Sequence, residues 1–491
     1  MSKQEFPIDQ KVQTILNQFI VPKKLLDDGI DLFTKSMDEG LRNPLAGSSF
    51  MPMIPSFITK IPTGKEKGLF LACDLGGTNF RVCSVELNGD HTFNLEQLKT
   101  KVDHSYMVGD SNNLFNFLSL HVKEFLEVHH DEYLSSNKDN QRLKMSFTFS
   151  FPIDQTCINR GKLIRWTKGY DVKDAVGQDV IKLFQYTLDQ HKLPVDLVAI
   201  TNDTVGTLLA NSYVSNTSNQ TLIGAIYGTG TNGCYIESLD NIKKLKPETV
   251  EKLKSKGQNY MVINTEWGSF DNRLQCLPNT KYDEILDSET PNQGYHMFEK
   301  RISGMFLGEI LRLVLIDLNQ KNLLLTEFYC SEKNDKPITL PHRLLRPWAF
   351  QTEVLSKLEI DDSTDLKISK LCYDNDLRLE TTLEDRRIIQ KVVKAVSKRA
   401  AYLSAIPIAA IILQQNDGKP PKEEIQVGAD GAVIEFYPEF KEHIMEALRL
   451  TELTEAGAGK IKFTIAKDGS GVGAALCSKT AETLSQNNTS L

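Results

Sequence analysis

Two short, well-separated segments set a glycine–threonine turn between apolar runs: DLGGTNFR at Asp74–Arg81 and YGTGTNG at Tyr227–Gly233. Glycine has no Cβ, so it takes turn conformations closed to other residues and lets backbone come close to a ligand. The run Gly68–Cys73 before the first turn has the pattern of a central strand, and Phe80–Leu87 after it alternates as an antiparallel partner would. Leu222–Tyr227 opens a second strand–glycine–strand unit. At 491 residues the chain exceeds what one core ordinarily holds. The two hairpins are therefore expected in two large domains, facing each other across a cleft.

Further strands are expected at Leu143–Phe151 and Leu197–Ile200, each followed by turn or cap residues and then helical periodicity. Apolar residues recur at helical spacing over Gln10–Leu41, up to the Asn43-Pro44 turn, and strongly over Met297–Leu318 and Glu384–Gln415. The proline-containing stretch Met51–Thr63 reads as a connector, and the polar NTSNQT after Ser215 as a surface loop. VGADGAVIEFYPEF at Val427–Phe440 repeats the strand–turn–strand theme, and KDGSGVGAALCSKTA at Lys467–Ala481 is a glycine turn feeding a helix of small residues, suited to close packing between domains. Strands alternating with helices indicate an α/β architecture.

In the first hairpin, backbone N–H groups at Gly76 and Gly77 can form an anion-binding nest, and Thr78 and Asn79 add short polar groups. Arg81 offers a planar cation matched to phosphate oxygens. Asp74, at the strand end, suits Mg²⁺ held through water, because that ion keeps much of its hydration. A plain polar β-turn is the alternative. The Walker A pattern GxxxxGK[ST] occurs nowhere. In the second hairpin Thr229 is the phosphate-facing candidate, and Asn232 a candidate for a hydroxyl-rich ligand.

Thr201-Asn202-Asp203-Thr204 stands between a strand and a helical run. Asp203 or a neighbour can serve simply as the helix N-cap. Alternatively, a carboxylate near two phosphate loops accepts the proton of an attacking alcohol, the main covalent task that phosphoryl transfer sets a protein. Ser150 in SFTFSFP, with Thr167 and Lys168 in RWTKGY, puts hydrogen-bonding groups at strand ends and loops. Glu266 in NTEWGSF and Glu299 in FEKR are carboxylates able to accept from two neighbouring hydroxyls. Taken singly, each of these is an ordinary surface turn or solvated side chain.

Composition narrows the partners. Net charge is −7 with no lysine- or arginine-rich block, which disfavours nucleic acid or an acidic membrane as the main partner. The eight cysteines form no CxxC pair and the nine histidines no HExxH cluster, so free thiols in a reducing compartment are expected and a structural zinc is not. The amino terminus lacks the apolar core of a secretory signal. The best apolar run, Ala400–Leu413, contains Pro407 and is too short to cross a bilayer. A cytoplasmic protein is expected.

In order along the chain, DLGGTNFR, FTFSFP, RWTKGY, TNDT, GTGTNG, EWGSFDN, FEKRISGMFLGE, GADGAV and DGSGVGAAL resemble the hexokinase family, its fungal glucokinase branch above all, from about Pro52 to Cys477. The resemblance implies the two-domain actin-like ATPase fold, also called ribonuclease-H-like, with residues 64–203 plus 469–491 as a small domain and 1–63 plus 204–468 as a large one. It implies ATP and Mg²⁺ as cofactors and a hexose, glucose before fructose, bound between domains that close over it. Asp203 matches the family's catalytic base, and Lys168 a group that steadies the transferring phosphoryl. Sugar-contacting positions match Ser150, Thr167, Lys168, Asn202, Asp203, Asn232, Glu266 and Glu299. Nucleotide-contacting positions match Asp74, Gly76, Gly77, Thr78, Asn79, Arg81, Thr229, Gly428, Ala429, Asp430 and Gly431. Two departures touch the ATP contacts: Ala432 where many relatives carry serine, and Met305 where several animal members carry lysine. A monomer or weak homo-oligomer is expected. A non-catalytic sugar sensor of the same fold is the principal alternative, and an ATP-driven conformational machine a more distant one, since the hydroxyl-facing set would have no purpose there.

Overall fold

The computed structural model describes residues 10–43, 51–135, 142–216, 221–329, 340–466 and 468–486. Pro44, most of the NTSNQT loop, Cys330, Lys467 and the end of the 469–491 segment lie outside the described residues.

Ten strands, five in each of the two main sheets, follow one plan. Strands β1 (Lys67–Leu75), β2 (Asn79–Asn88), β3 (Phe93–Lys101), β4 (Leu143–Phe149) and β5 (Val195–Thr201) lie in the order β3-β2-β1-β4-β5. The first three form an antiparallel meander, and β4 and β5 join parallel to β1. Strands β6 (Thr221–Tyr227), β7 (Thr231–Ser238), β8 (Tyr260–Asn264), β9 (Ile425–Asp430) and β10 (Ile461–Ile465) repeat this as β8-β7-β6-β9-β10, again a meander plus two parallel strands. Both glycine turns are therefore the same turn, between the first and second strands of each sheet. That equivalence is far larger than the short sequence likeness of the hairpins.

The principal helices are α1 (Gln10–Asn17), α2 (Lys23–Arg42), α3 (Asp203–Val214), α4 (Lys281–Ser288), α5 (Glu299–Ile302), α6 (Gly304–Gln320), α7 (Leu383–Gln415) and α8 (Gly469–Gln486). Helix α3 leaves β5 of the first sheet but packs on the second: a Cβ on Gly224 of β6 would stand 2.4 Å from the Thr204 carbonyl oxygen. Helix α8 follows the second sheet but packs on the first, where Ser478 and Ser146 of β4 share a 2.8 Å hydroxyl–hydroxyl bond. Where the two helices cross, backbone meets backbone; a Cβ on Gly473 would lie 2.1 Å from the Gly206 carbonyl oxygen. The small residues after Lys467 serve this crossing.

Helix α7 begins with a capping box in which the Asp385 amide donates to Thr382 Oγ1 at 3.1 Å and the Thr382 amide to Asp385 Oδ2 at 2.9 Å. Among the described residues it is the one helix long and apolar enough to cross a membrane, and 94% of its apolar window is buried inside the protein, as in a core helix.

Three expectations need correction. Val427–Phe440 is not strand–turn–strand: β9 ends at Asp430, Gly431 turns the chain with φ 112°, and Ala432–Phe436 is a short helix. Both edges of β9 are already taken by parallel neighbours, β6 and β10, so no hairpin partner can pair with it. The connector at Met51–Thr63 is packed: Met51, Met53, Phe57 and Ile58 are buried in the main core, and Ile54–Pro55 pairs with β8 at the sheet's outer edge. Proline is tolerated there because an edge strand needs partners on one side only. Finally, the helical pattern of Met297–Leu318 is two helices, α5 and α6, separated by the extended residue Ser303.

Candidate active site

Asp203 is the first residue of α3, directly after β5, and Asn202 is the actual N-cap: its Oδ1 accepts the Thr204 amide at 3.0 Å. The cap role thus falls to the neighbour and leaves one oxygen of Asp203 for other work. Its Oδ1 accepts from the Thr204 amide at 2.9 Å, while its Oδ2 accepts from the Ser150 hydroxyl, just beyond β4, at 3.2 Å. Burial pushes the Asp203 carboxyl up to about 6 against the opposing pull of Lys168, with Asp74 and Glu266 adding to the rise. Such a group is ionised at neutral pH yet basic enough to take a proton.

Facing it is a polar net on the second sheet. Asn232 Nδ2 donates to Asn264 Oδ1 at 2.9 Å, to Glu266 Oε1 at 3.1 Å and to Asn202 Oδ1 at 3.3 Å, and Asn264 Nδ2 donates to Glu266 Oε1 at 2.8 Å. Glu266 has φ 55° and Lys168 φ 56°, left-handed conformations that non-glycine residues hold only where the surroundings enforce them. The Glu299 carboxylate accepts the Thr231 amide at 2.9 Å through Oε2 and His296 Nδ1 at 3.2 Å through Oε1. Burial would raise its pKa, but the His296 bond and charge, the Thr231 amide and Lys168 together hold it below the usual value. Gly230 permits that approach, since a Cβ there would stand 2.7 Å from Glu299 Oε2.

Lys168 ties the hairpins together. Its Cβ would lie 3.5 Å from a Cβ on Gly77, and its charge acts on both Asp203 and Glu299. Thr167 sits beside it at partial exposure. On the first hairpin, the Gly76 amide donates to the Asn79 carbonyl at 3.0 Å, and Asn79 Nδ2 donates to Thr78 Oγ1 at 2.9 Å. Arg81 is already engaged by Asp74 at 3.3 Å, by Asp468 at 3.5 Å and by the Ser470 hydroxyl.

Beside the second hairpin opens a pocket of about 790 Å³, lined by Gly228, Thr229, Met305, Trp348, Ala432 and Phe436 among others. The Gly304 amide donates to the Gly228 carbonyl at 2.8 Å and the Met305 amide to the Thr229 carbonyl at 3.1 Å, so the start of α6 is locked to the glycine turn. Gly431 closes on the same turn: a Cβ there would meet the Tyr227 carbonyl oxygen at 2.5 Å. Gly428 and Ala429 lie within buried β9, and a Cβ on Gly428 would meet Asn211 of α3 at 2.7 Å, so the pocket wall is formed by Ala432 and Val433 rather than by those two. Asp430 Oδ1 accepts the Gly431 amide at 2.6 Å, and burial raises its pKa.

Two hexokinase family models together match residues 11–213 and 222–480 of this chain. The chain belongs to the hexokinase family. It is 46% identical to glucokinase-1 of Saccharomyces cerevisiae, over 97% of this chain and 98% of that one, and 45% identical to the glucokinase of Aspergillus niger, over 94% and 95%. The solved hexokinase from Schistosoma mansoni complexed with glucose superposes with a TM-score of 0.81 at 32% identity, covering 96% of this chain and 98% of that one. The fold is accordingly the hexokinase form of the actin-like ATPase superfamily, two domains with a cleft between them.

In this hexokinase Asn264, two residues before Glu266, joins Asn232 to Glu266, and its place inside NTEWGSF is the signal for it in the sequence. Trp267, in the same segment, donates through Nε1 to Thr231 Oγ1 at 2.9 Å, and its ring fills the space a Gly233 side chain would need. Trp348, Phe350 and Thr352 on the pocket wall carry no motif. Met305 and Ala432, noted as departures from relatives, both line that pocket.

Proposed function

We propose that this hexokinase transfers the terminal phosphate of ATP to the primary hydroxyl of glucose, giving glucose 6-phosphate at the entry to glycolysis. The observation that carries the reading is Asp203: a carboxylate raised to about 6, at the start of α3, with Ser150 on one side and the Asn232–Glu266 net on the other. In this reading Ser150, Thr167, Asn202, Asn232, Glu266 and Glu299 hold the sugar hydroxyls. Asp203 accepts the proton of the 6-hydroxyl as that oxygen attacks phosphorus, and Lys168 offsets the charge on the phosphoryl oxygens. Closure excludes water, so the sugar and not solvent is phosphorylated.

The backbone of the GTG turn, Thr229 and the first hairpin from Gly76 to Asn79 hold the phosphates, with Asp430 and Gly431 leading to the base in the adjoining pocket. Mg²⁺ fits the donor set: Asp74, Asp430 and Asp468 carry more negative charge than the one Arg81 among them neutralises, and all are hard oxygen ligands. Asp74 would hold the ion through water, and the ion would neutralise charge on the phosphate oxygens.

The matching meander-plus-two sheets support a ribonuclease-H-like reading of each lobe, and the crossing of α3 with α8 supports boundaries at 64–203 plus 469–491 and at 1–63 plus 204–468. The cytoplasm is the proposed compartment, consistent with the seven described cysteines, all free.

A panel of glucose, mannose, fructose and N-acetylglucosamine with MgATP, compared by kcat/KM, tests the substrate. Glucose is expected to lead and fructose to trail. Equal values for all four, or no phosphorylation of any, would refute the reading.

A further inference from the structure

Tyr295 belongs to no motif, yet it receives a residue from the other side of the cleft. Arg165 Nη2 donates to its hydroxyl at 2.5 Å, and the Arg165 guanidinium carbon lies 4.3 Å from its ring centre. Arg165 opens the RWTKGY loop that presents Thr167 and Lys168, whereas Tyr295 precedes α5 and its Glu299. The next residue, His296, has φ 57°, places its ring 4.6 Å from that of Tyr295 and donates through Nδ1 to Glu299 Oε1 at 3.2 Å. Glu299 Oε2 is fixed by the Thr231 amide, and His296 sets the other oxygen. A continuous line of contacts thus runs from the loop of Lys168 through Arg165, Tyr295 and His296 to the carboxylate of Glu299.

We propose that Tyr295 and His296 form a clasp that couples closure of the cleft to the placement of Glu299, so that this carboxylate is aligned for the sugar only when Arg165 docks on Tyr295. The proposal rests on the hexose reading of the site. Its physical content is a guanidinium stacked on an aromatic face and bonded to the same ring's hydroxyl, a contact that opening of the domains breaks and closing restores. Arg165, Tyr295 and His296 are positioning residues here; none is assigned contact with the reacting atoms.

The test compares Arg165→Ala, Tyr295→Ala, their double variant, His296→Ala and His296→Gln in the full chain, with KM for glucose, KM for ATP, kcat and thermal midpoint measured for each. Arg165→Ala and Tyr295→Ala are each expected to raise the glucose KM about tenfold, with the ATP KM within twofold and kcat within threefold of the parent. The double variant is expected to be no worse than either single, because both remove one contact. His296→Ala is expected to raise the glucose KM as well, and His296→Gln, which keeps a donor, to restore most of it. An unchanged glucose KM, effects of Arg165→Ala and Tyr295→Ala that multiply, or a parallel fall in midpoint and all kinetic constants would overturn the clasp. If the parent protein phosphorylates no hexose, the functional reading itself fails; if it does and the variants match it, only the clasp fails.

Discussion

Asp203→Ala is expected to lower turnover at least ~100-fold while glucose still binds, because a positioned base contributes roughly 10²–10⁴-fold to such a transfer. The remaining hydroxyl partners, Ser150, Asn232, Glu266 and Glu299, stay in place and keep the sugar. The readouts are steady-state turnover and glucose affinity from intrinsic tryptophan fluorescence. A variant within threefold of the parent in turnover would remove Asp203 from the mechanism.

The same group predicts a pH dependence. The base must be ionised to accept a proton, so kcat should rise with pH through about 6 and then level. Its effect on stability has the opposite sign. A carboxyl raised from 3.8 to about 6 by folding contributes stability that is complete below 3.8 and is lost as pH rises through about 6. Asp203→Asn should therefore be more heat-resistant than the parent at pH 8, with the advantage disappearing toward pH 4, even as its turnover collapses. Catalytic power and stability are set against each other at this one side chain.

Arg399→Met is expected to cost about 3–5 kcal/mol of stability, the usual penalty for stripping one partner from a buried ion pair. Arg399, on α7, makes two parallel bonds to Asp283 of α4, at 2.8 and 2.9 Å, with both side chains almost wholly buried. Burial by itself would raise the Asp283 carboxyl, but Arg399, with Arg301 and the Thr280 bond, holds it below its ordinary range. At present this pair's stability is present above about 3.8 and lost as pH falls below it. Without Arg399 only Arg301 and the Thr280 bonds still oppose burial, so the loss of stability toward low pH should shrink in the variant.

The effect reaches the site through α5. Arg301, two residues after Glu299, donates to the Pro278 carbonyl at 2.7 Å, the Met297 carbonyl at 2.7 Å and Asn279 Oδ1 at 2.9 Å, next to the N-terminus of α4 that Asp283 helps to cap. Denaturant unfolding from pH 5 to 8 measures the loss, and adding Asp283→Asn should recover part of it. A loss under about 1 kcal/mol would show the pair to be replaceable.

The strands around both glycine turns were legible because a strand–turn–strand unit is a local event: the apolar alternation, the glycines and the hairpin register all lie within about twenty residues. Asp203, Lys168, Glu266 and Glu299 were legible as polar groups at strand ends and loops, with the family resemblance supplying the roles. What was not legible is long-range. Val427–Phe440 looked like another hairpin because nothing local reveals that β9 already has a parallel neighbour on each side. Met51–Thr63 looked like a connector because its prolines are read as turns, while its burial depends on β8, some two hundred residues later. The swap of α3 and α8 between sheets was visible only as a run of small residues. Trp348 and Tyr295 carried no local signal, since a lone aromatic in a loop says nothing of what it will face.

The central claim is that the cleft aims one sugar oxygen at the terminal phosphate of ATP, with Asp203 as its proton acceptor. It is tested most directly by following ADP release and the sugar product by ³¹P NMR with glucose and with 6-deoxyglucose, which lacks only the attacking hydroxyl. The account predicts one glucose 6-phosphate per ADP with glucose, and no sugar phosphate with 6-deoxyglucose although it binds. Phosphorylation of 6-deoxyglucose at comparable rate, or ADP release that ignores the sugar altogether, would contradict it.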